Sequence, residues 1–324
     1  MLKQDRKSFI RTLGLMGAGV LLAEHKVQAH PATEMARTEA VPSPIGGQPL
    51  RIAHLTDIHV SPERTAEYGM SAALNAVNNL KNKPSFILNG GDAIMNAATL
   101  TKAGVRDQWA SYHKLMKSDN DLTAYNCVGN HDLFGFLLPS ADHAESKKWA
   151  MDEYQLSRSY YSFSQGVWHF IVLDSIHGRK AVPGYVGKLD DAQMDWLKKE
   201  LASVPKSRHI CIISHIPVLA VCSMFDRDIT NLRNMHISDC NMHTDSEELA
   251  ELFYQAGNVR ACLSGHIHMI DYVNYLGVEY FCNGAVAGNW WKGNLKHFAP
   301  SFAVMNFYDN GAVSRDVHYY KWTA

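Results

Sequence analysis

The chain has 324 residues, 46% hydrophobic and 19% charged, with a formal net charge of −1. This is ordinary globular composition, long enough to bury a substantial core. The near-neutral balance offers no basic footprint for nucleic acid.

Residues 1–29 read as a secretory signal peptide. Lys3, Arg6, Lys7 and Arg11 precede an apolar stretch over 13–23, and Val27-Gln28-Ala29 resembles a small-residue cleavage site that would leave His30 as the first mature residue. The run Arg6-Lys7-Ser8-Phe9-Ile10-Arg11 resembles a twin-arginine export signal with lysine in place of the second arginine; an ordinary secretory signal is the alternative. The expected destination is the periplasm or the medium. No other apolar stretch is long enough to span a bilayer, so no transmembrane anchor is expected after signal removal. Residues 30–48 carry Pro31, Pro42, Pro44, Gly46 and Gly47 and read as a flexible lead-in to one domain over 49–324.

From Leu50 apolar runs and helical patterns alternate. Short buried strands are expected at 50–55, 86–88, 125–128, 210–213 and 259–263. Between them, amphipathic helices are expected over 65–81, 101–117, 144–156 and 190–202, with another over 245–255 capped near Gly257. A hairpin over 160–175 turns at Gln165-Gly166. Beyond Gly265 the pattern is mostly β, with strands at 272–275 and 278–282 around Leu276-Gly277, and at 303–308 and 313–320 around Asp309-Asn310-Gly311. Alternating α/β units followed by antiparallel strands predict two packed sheets with helices outside. Cys127, Cys211, Cys262 and Cys282 fall in buried strands; Cys222 and Cys240 share the long loop and are candidates to pair.

Each of the five buried strands ends in a short polar motif: Asp57-Ile58-His59, Gly91-Asp92, Gly129-Asn130-His131-Asp132, Ser214-His215 and Gly265-His266-Ile267-His268. One such piece alone reads as a turn or a satisfied histidine. Five in order, each just past a strand, converge on the sheet edge where open α/β proteins build their sites. Asp57, His59, Asp92, Asn130, His215, His266 and His268 make seven candidate ligands, whereas one ion needs about four to six, so two metals are expected. A carboxylate bridges most readily, and Asp92 is the best placed to do so. Two aspartates against two divalent ions leave a cationic pocket suited to a phosphate oxyanion. The oxygen and nitrogen donors suit Mn, Fe, Zn or Co.

The motif set resembles the calcineurin-like metallophosphoesterase superfamily in its D-x-H, GD, GNHD, H, GHxH form, over residues 50 to 270. The resemblance implies an α/β fold arranged as a four-layer α/β/β/α sandwich of two mixed sheets flanked by helices, with a dinuclear site at the strand ends. It assigns Asp57, His59 and His268 to the first metal, Asn130, His215 and His266 to the second, and Asp92 to both. Hydrolysis would proceed by a hydroxide held between ions roughly 3.5–4 Å apart attacking phosphorus in line. His131 would protonate the leaving oxygen and Asp132 would orient His131. Met95 stands where purple acid phosphatases have a tyrosine ligand, and the Val-Asp-Arg-Gly of serine/threonine protein phosphatases is missing after Asp92. What remains resembles the bacterial branch with class III cyclic-nucleotide phosphodiesterases, and neither an iron-tyrosine centre nor phosphoprotein specificity is expected.

The expected activity is hydrolysis of a small phosphoester, a diester before a monoester. A nuclease of the same superfamily and a non-catalytic metal-binding surface protein are the alternatives. Substrate contacts are expected from 216–244, which holds Met224, Phe225, Asp226, Arg227, Arg233, His236 and His243, and from Trp290-Trp291, which could wall the metals or pack in the core. His54, His113, His169, His177 and His297 lack ligand spacing.

Overall fold

The computed structural model describes residues 47–138, 142–179, 183–225 and 237–322. The expected leader and all of the lead-in but Gly47 and Gln48 lie outside them, as do Asp226, Arg227, Arg233 and His236. The chain runs through β1 (Leu50–Leu55), α1 (Arg64–Asn78), β2 (Phe86–Asn89), α2 (Lys102–Ser118), β3 (Ala124–Asn126) and α3 (His143–Tyr154). Then come β4 (Tyr161–Gln165), β5 (Trp168–Leu173), β6 (Ile176–Gly178), β7 (Tyr185–Gly187), α4 (Asp191–Ser203), β8 (His209–Ser214) and α5 (Ser246–Ala256). The rest is β9 (Val259–Ser264), β10 (Ile270–Tyr275), β11 (Val278–Asn283), β12 (Ser301–Phe307) and β13 (Val313–Tyr319). Thr101 and Asp190 lie just outside α2 and α4 because each caps its helix, its side chain accepting from Gly104 N and Gln193 N.

Two mixed sheets form, ordered β13-β12-β1-β2-β3 and β10-β11-β9-β8-β5-β4. The strands that carry the motifs pair in parallel within each sheet: β1 with β2 and β2 with β3, and β8 with β9. The antiparallel strands β12, β13, β4 and β10 come from the hairpins and the closing segment.

Alternation along the strands decides the layers. In β1 and β12, Ile52, Ala303, Met305 and Phe307 face the second sheet, where they meet Trp168, Phe170, Val172, Cys211, Ile213 and Phe281. Their neighbours Ala53, Leu55, Phe302 and Val304 face the other way, onto α1, α2 and α3 through Met70, Leu74, Trp109 and Tyr154. On the far side, Ile171, Ile210, Ile212 and Tyr280 pack on Leu197 of α4 and Phe253 of α5. The order is therefore helices, sheet, sheet, helices, as expected. Each large apolar side chain buried between the sheets contributes about 1.5–3 kcal/mol, and the strand ends that carry the motifs lie at the edge of this layer.

Two local features differ from the sequence pattern. Residues 176–178 and 185–187 pair as a small separate sheet, too short for any periodicity to announce. The hairpin turn sits one residue later than expected, on Gly166-Val167, because Gln165 still pairs with Trp168.

Candidate metal centre

All five motifs lie at the C-terminal ends of parallel strands, three from the first sheet and two from the second. The loops after β1 and β2 are zipped together: Asp57 N donates to Gly91 O, His59 N to Asp92 O and Val60 N to Ala93 O, at 2.9–3.0 Å. Asp57, His59, Asp92, His266 and His268 all adopt left-handed backbone, with φ between 49° and 68°. Non-glycine residues rarely do so, and such strain persists only where surrounding structure enforces it. Here the glycines let the loops close in. A Cβ on Gly129 would sit 2.1 Å from Asp92 Oδ1, and one on Gly265 would sit 2.2 Å from Asp57 Oδ2.

Two donor groups result. Asp57, His59 and His268 form one, and Asp92, His215 and His266 the other, the donor atoms of each lying within 4.8 Å of one another. Asn130 joins the second through Oδ1, 3.1 Å from His215 Nε2. Asp92 Oδ2 faces both, 3.7 Å from His59 Nε2 and 3.3 Å from His215 Nε2, while its Oδ1 accepts from the His131 amide at 2.8 Å. All seven expected ligands are thus brought together, with Asp92 between the two sets.

The fit of metals to these residues rests on the imidazoles. His268 Nδ1 donates to Gly288 O at 2.6 Å and His215 Nδ1 to Gly90 O at 2.9 Å. A carbonyl only accepts, so each Nδ1 carries its hydrogen and each Nε2 is the atom aimed at the carboxylates, where it holds a proton or, once that proton leaves, a metal. His268 Nε2 lies 3.2 Å from Asp57 Oδ1 and 3.0 Å from His59 Nε2. Nitrogen and oxygen atoms converging this closely suit a cation. The electrostatics agree. Burial would raise the Asp92 carboxyl, but the His215 and His131 rings hold it well below the usual range. Burial likewise opposes ionisation of Asp57, and His268 overcomes it. Conversely, burial would lower His215, whereas the Asp92 charge lifts it to about 10. The pocket attracts positive charge, whether proton or metal.

His131 stands on the rim, half-buried, its ring edge-on to His59 with centroids 4.7 Å apart. One of its ring nitrogens also falls within 4.8 Å of the His59 and Asp92 donor atoms. The group that orients it is not Asp132 but a main-chain carbonyl: His131 Nδ1 donates to Met95 O at 2.6 Å. Asp132 instead accepts from the amides of Asp92, Ala93 and Gly129 and from the Tyr154 hydroxyl, at 2.9–3.1 Å. Residues 130–132 form a 3-10 turn, in which consecutive side chains diverge by a third of a turn. Asp132 is therefore a buried clamp that joins the second and third motifs. Asp132→Ala is expected to strip several buried donors and to lower unfolding stability by about 3 kcal/mol. Chemical denaturation checks this, and an unchanged midpoint would contradict the clamp.

Elsewhere the described C-terminal end of the long loop is anchored. His243 is buried, bonding Ser214 Oγ at 3.0 Å and Asp245 Oδ1 at 2.8 Å, so both its ring nitrogens are engaged in bracing that end. The pairing considered for Cys222 and Cys240 does not occur: all six cysteines are free thiols, and Cys222 packs in an apolar cluster with Cys282, Ile267 and Met269. His54 is also buried, its ring 2.9 Å from the Asn283 amide, and burial depresses it to about 4. His113 and His169 pair with Glu153 and Glu200.

Residues 50–269, from β1 through the last motif, match the calcineurin-like phosphoesterase family. The chain belongs to that family. Among relatives of the calcineurin-like chain, the serine/threonine-protein phosphatase CPPED1 of Rattus norvegicus is 29% identical over 223 residues, covering 66% of this chain and 63% of that protein, under two thirds of its length. A probable cyclic nucleotide phosphodiesterase of Rhodococcus erythropolis is 26% identical over 240 residues, covering 70% and 67%. A solved dimetal phosphatase from Danio rerio has the same fold, with a TM-score of 0.59 at 14% identity, over 81% of this chain and 94% of that one. The family relatives carry both phosphatase and phosphodiesterase names. The missing Val-Asp-Arg-Gly therefore does not by itself separate this calcineurin-like chain from proteins named for phosphoprotein hydrolysis.

What sequence reasoning missed is main chain. The carbonyls of Gly90, Met95 and Gly288 fix three imidazoles, and only the adjoining Gly and the motif spacing hint at them. Thr56 was also unmarked, yet its hydroxyl donates to Asp57 Oδ2 at 2.6 Å.

Proposed function

We propose that the protein is an exported, dinuclear metal-dependent phosphoesterase acting on a small phosphodiester, with monoesters as poorer substrates. The observation that carries the reading is Asp92 Oδ2 facing both donor sets while the His131 ring stands half-buried on their rim. When bound, the two ions supply Lewis acidity at the phosphoryl oxygens and lower the pKa of water.

The remaining work falls to the chain. Asp57, His59 and His268 would hold one ion, Asn130, His215 and His266 the other, and Asp92 both. The locked Nδ1–H groups of His215 and His268 keep each Nε2 aimed inward, so that an entering ion would displace a proton there rather than turn the ring. His131, its Nδ1–H given to Met95 O, presents Nε2 as the proton source for the departing alkoxide as the P–O bond breaks.

Export is supported by the basic and apolar character of the first 29 residues. An N-terminus at His30 in the extracytoplasmic fraction would bear this out, and an intact Met1 there or a wholly cytoplasmic protein would refute it. Among the described residues no helix is long and apolar enough to cross a membrane.

The test of activity is a panel of bis-p-nitrophenyl phosphate, p-nitrophenyl phosphate, cyclic nucleotides and a phosphopeptide, assayed with Mn, Zn, Fe and Co. Turnover of diesters faster than monoesters is expected. Preference for the phosphopeptide would move the assignment toward the rat relative. No turnover with any metal, at measured occupancy, would leave the non-catalytic metal-binding reading.

A further inference from the structure

The segment after β11 carries two adjacent tryptophans, and the structure gives them opposite surroundings. Trp291 is buried. Its Nε1 donates to His59 O at 2.9 Å, and its ring fills the space above Gly69 of α1, where an added Cβ would lie 2.0 Å from the indole. Its amide donates to Ala287 O, and Asn289 N to Gly293 O, closing a tight turn. Trp291 thus accounts for the packing of this segment and for its tie to the metal centre.

Trp290 does neither job. It is half-exposed, and its indole N–H makes no hydrogen bond to the described residues. Both tryptophans share a left-handed backbone, φ 48° at Trp290 and 63° at Trp291, a conformation that bulky residues adopt only under constraint. The Trp290 ring lies over His268 with centroids 4.5 Å apart and planes 33° from parallel, and stands 5.9 Å from the His59 ring. A large, flat, partly solvated apolar surface is therefore held beside the first donor set. The neighbouring Asp57, His59 and His268 are buried, so the solvated ring beside that set is Trp290.

We propose that Trp290 is a specificity-determining residue, a stacking platform for a planar aromatic group carried on the phosphoester, of which a nucleobase is the obvious natural example. The inference rests on the phosphoesterase reading above. A phosphoryl group drawn to the ions brings its ester substituent over the rim on which Trp290 lies. Stacking on an indole is tolerant of which ring is offered, so the platform selects for aromaticity rather than for one base. Aliphatic esters would gain nothing from it.

The test is equilibrium binding to the metal-loaded protein, using adenosine monophosphate, glycerol 3-phosphate and inorganic phosphate as probes. Trp290→Ala is expected to weaken adenosine monophosphate by about tenfold and to leave the two non-aromatic probes within about twofold. Trp290→Phe should recover most of the loss. Quenching of indole emission by adenosine monophosphate should be present in the wild type and smaller in Trp290→Phe, which keeps the other six tryptophans. Equal weakening of all three probes would mean that Trp290 only positions His268, and no change in any would remove it from recognition. Either result overturns the proposal while leaving the phosphoesterase reading intact. Failure of the loaded wild type to bind phosphate or cleave any ester would instead overturn both.

Discussion

Asp92→Ala is expected to remove bound metal and turnover together, lowering kcat/KM by at least about a thousandfold, or roughly 4 kcal/mol of transition-state stabilisation. Among the described residues Asp92 is the carboxylate shared between the donor sets: its Oδ2 is 3.7 Å from His59 Nε2 and 3.3 Å from His215 Nε2. Its second oxygen has a separate task, accepting the His131 amide at 2.8 Å. Alanine therefore leaves a buried donor unpaired as well as two groups of ligands without their shared charge. Asp92→Asn separates the tasks, because the amide oxygen can still accept from His131 while the negative charge is gone. Metal analysis by mass spectrometry and a thermal melt should show both variants depleted of metal, and only the alanine variant markedly less stable. Two equivalents of metal in Asp92→Ala would rule out its bridging position.

His131→Ala should give the opposite pattern, with metal retained and catalysis impaired. It is the His131 amide, not the ring, that supports Asp92, so truncating the side chain leaves the donor sets standing. The expected loss is about 10²–10⁴-fold for an ester with an alkoxide leaving group, the range for a positioned general acid. For p-nitrophenolate, which needs no proton to depart, the loss should be small. Steady-state rates on matched alkyl and p-nitrophenyl diesters measure the split. A uniform loss on both esters would point to a ligand role for the ring, which the proximity of His131 to His59 and Asp92 makes the sharpest rival. Wild-type rates on the alkyl ester would remove His131 from the chemistry.

Most of the fold was legible because the inner strands of its two sheets are buried on both faces. Runs such as Ile210-Cys211-Ile212-Ile213 can be little else than inner strands, and the capping residues Thr101 and Asp190 mark where the helices begin. The ligands were legible because each strand delivers its motif at a fixed point of the sheet edge. Asp132 was misread for a physical reason: adjacency in sequence suggested contact with His131, whereas the 3-10 turn sends the two side chains apart. The carbonyls that set the imidazole tautomers have no residue type, and the left-handed backbone of Asp57, His59, Asp92, His266 and His268 is imposed by loop-to-loop bonds rather than by local preference. Trp290 and Trp291 are identical letters, and only packing tells the anchor from the exposed ring.

The braces of the two donor sets come from different distances along the chain. The set containing His215 and His266 is complete once residue 266 is in place, and its carbonyl lock, Gly90 O, comes from the N-terminal sheet. The set containing His59 and His268 waits on residues 287–291, through Ala287 N to Asp57 O, Gly288 O to His268 and Trp291 to His59 O. That segment is in turn held by Ser301 N on Ala285 O, at the start of the strand that pairs with β1. A nascent chain therefore reaches the means to finish one ion pocket some twenty residues before the other, and the two ions need not be acquired together.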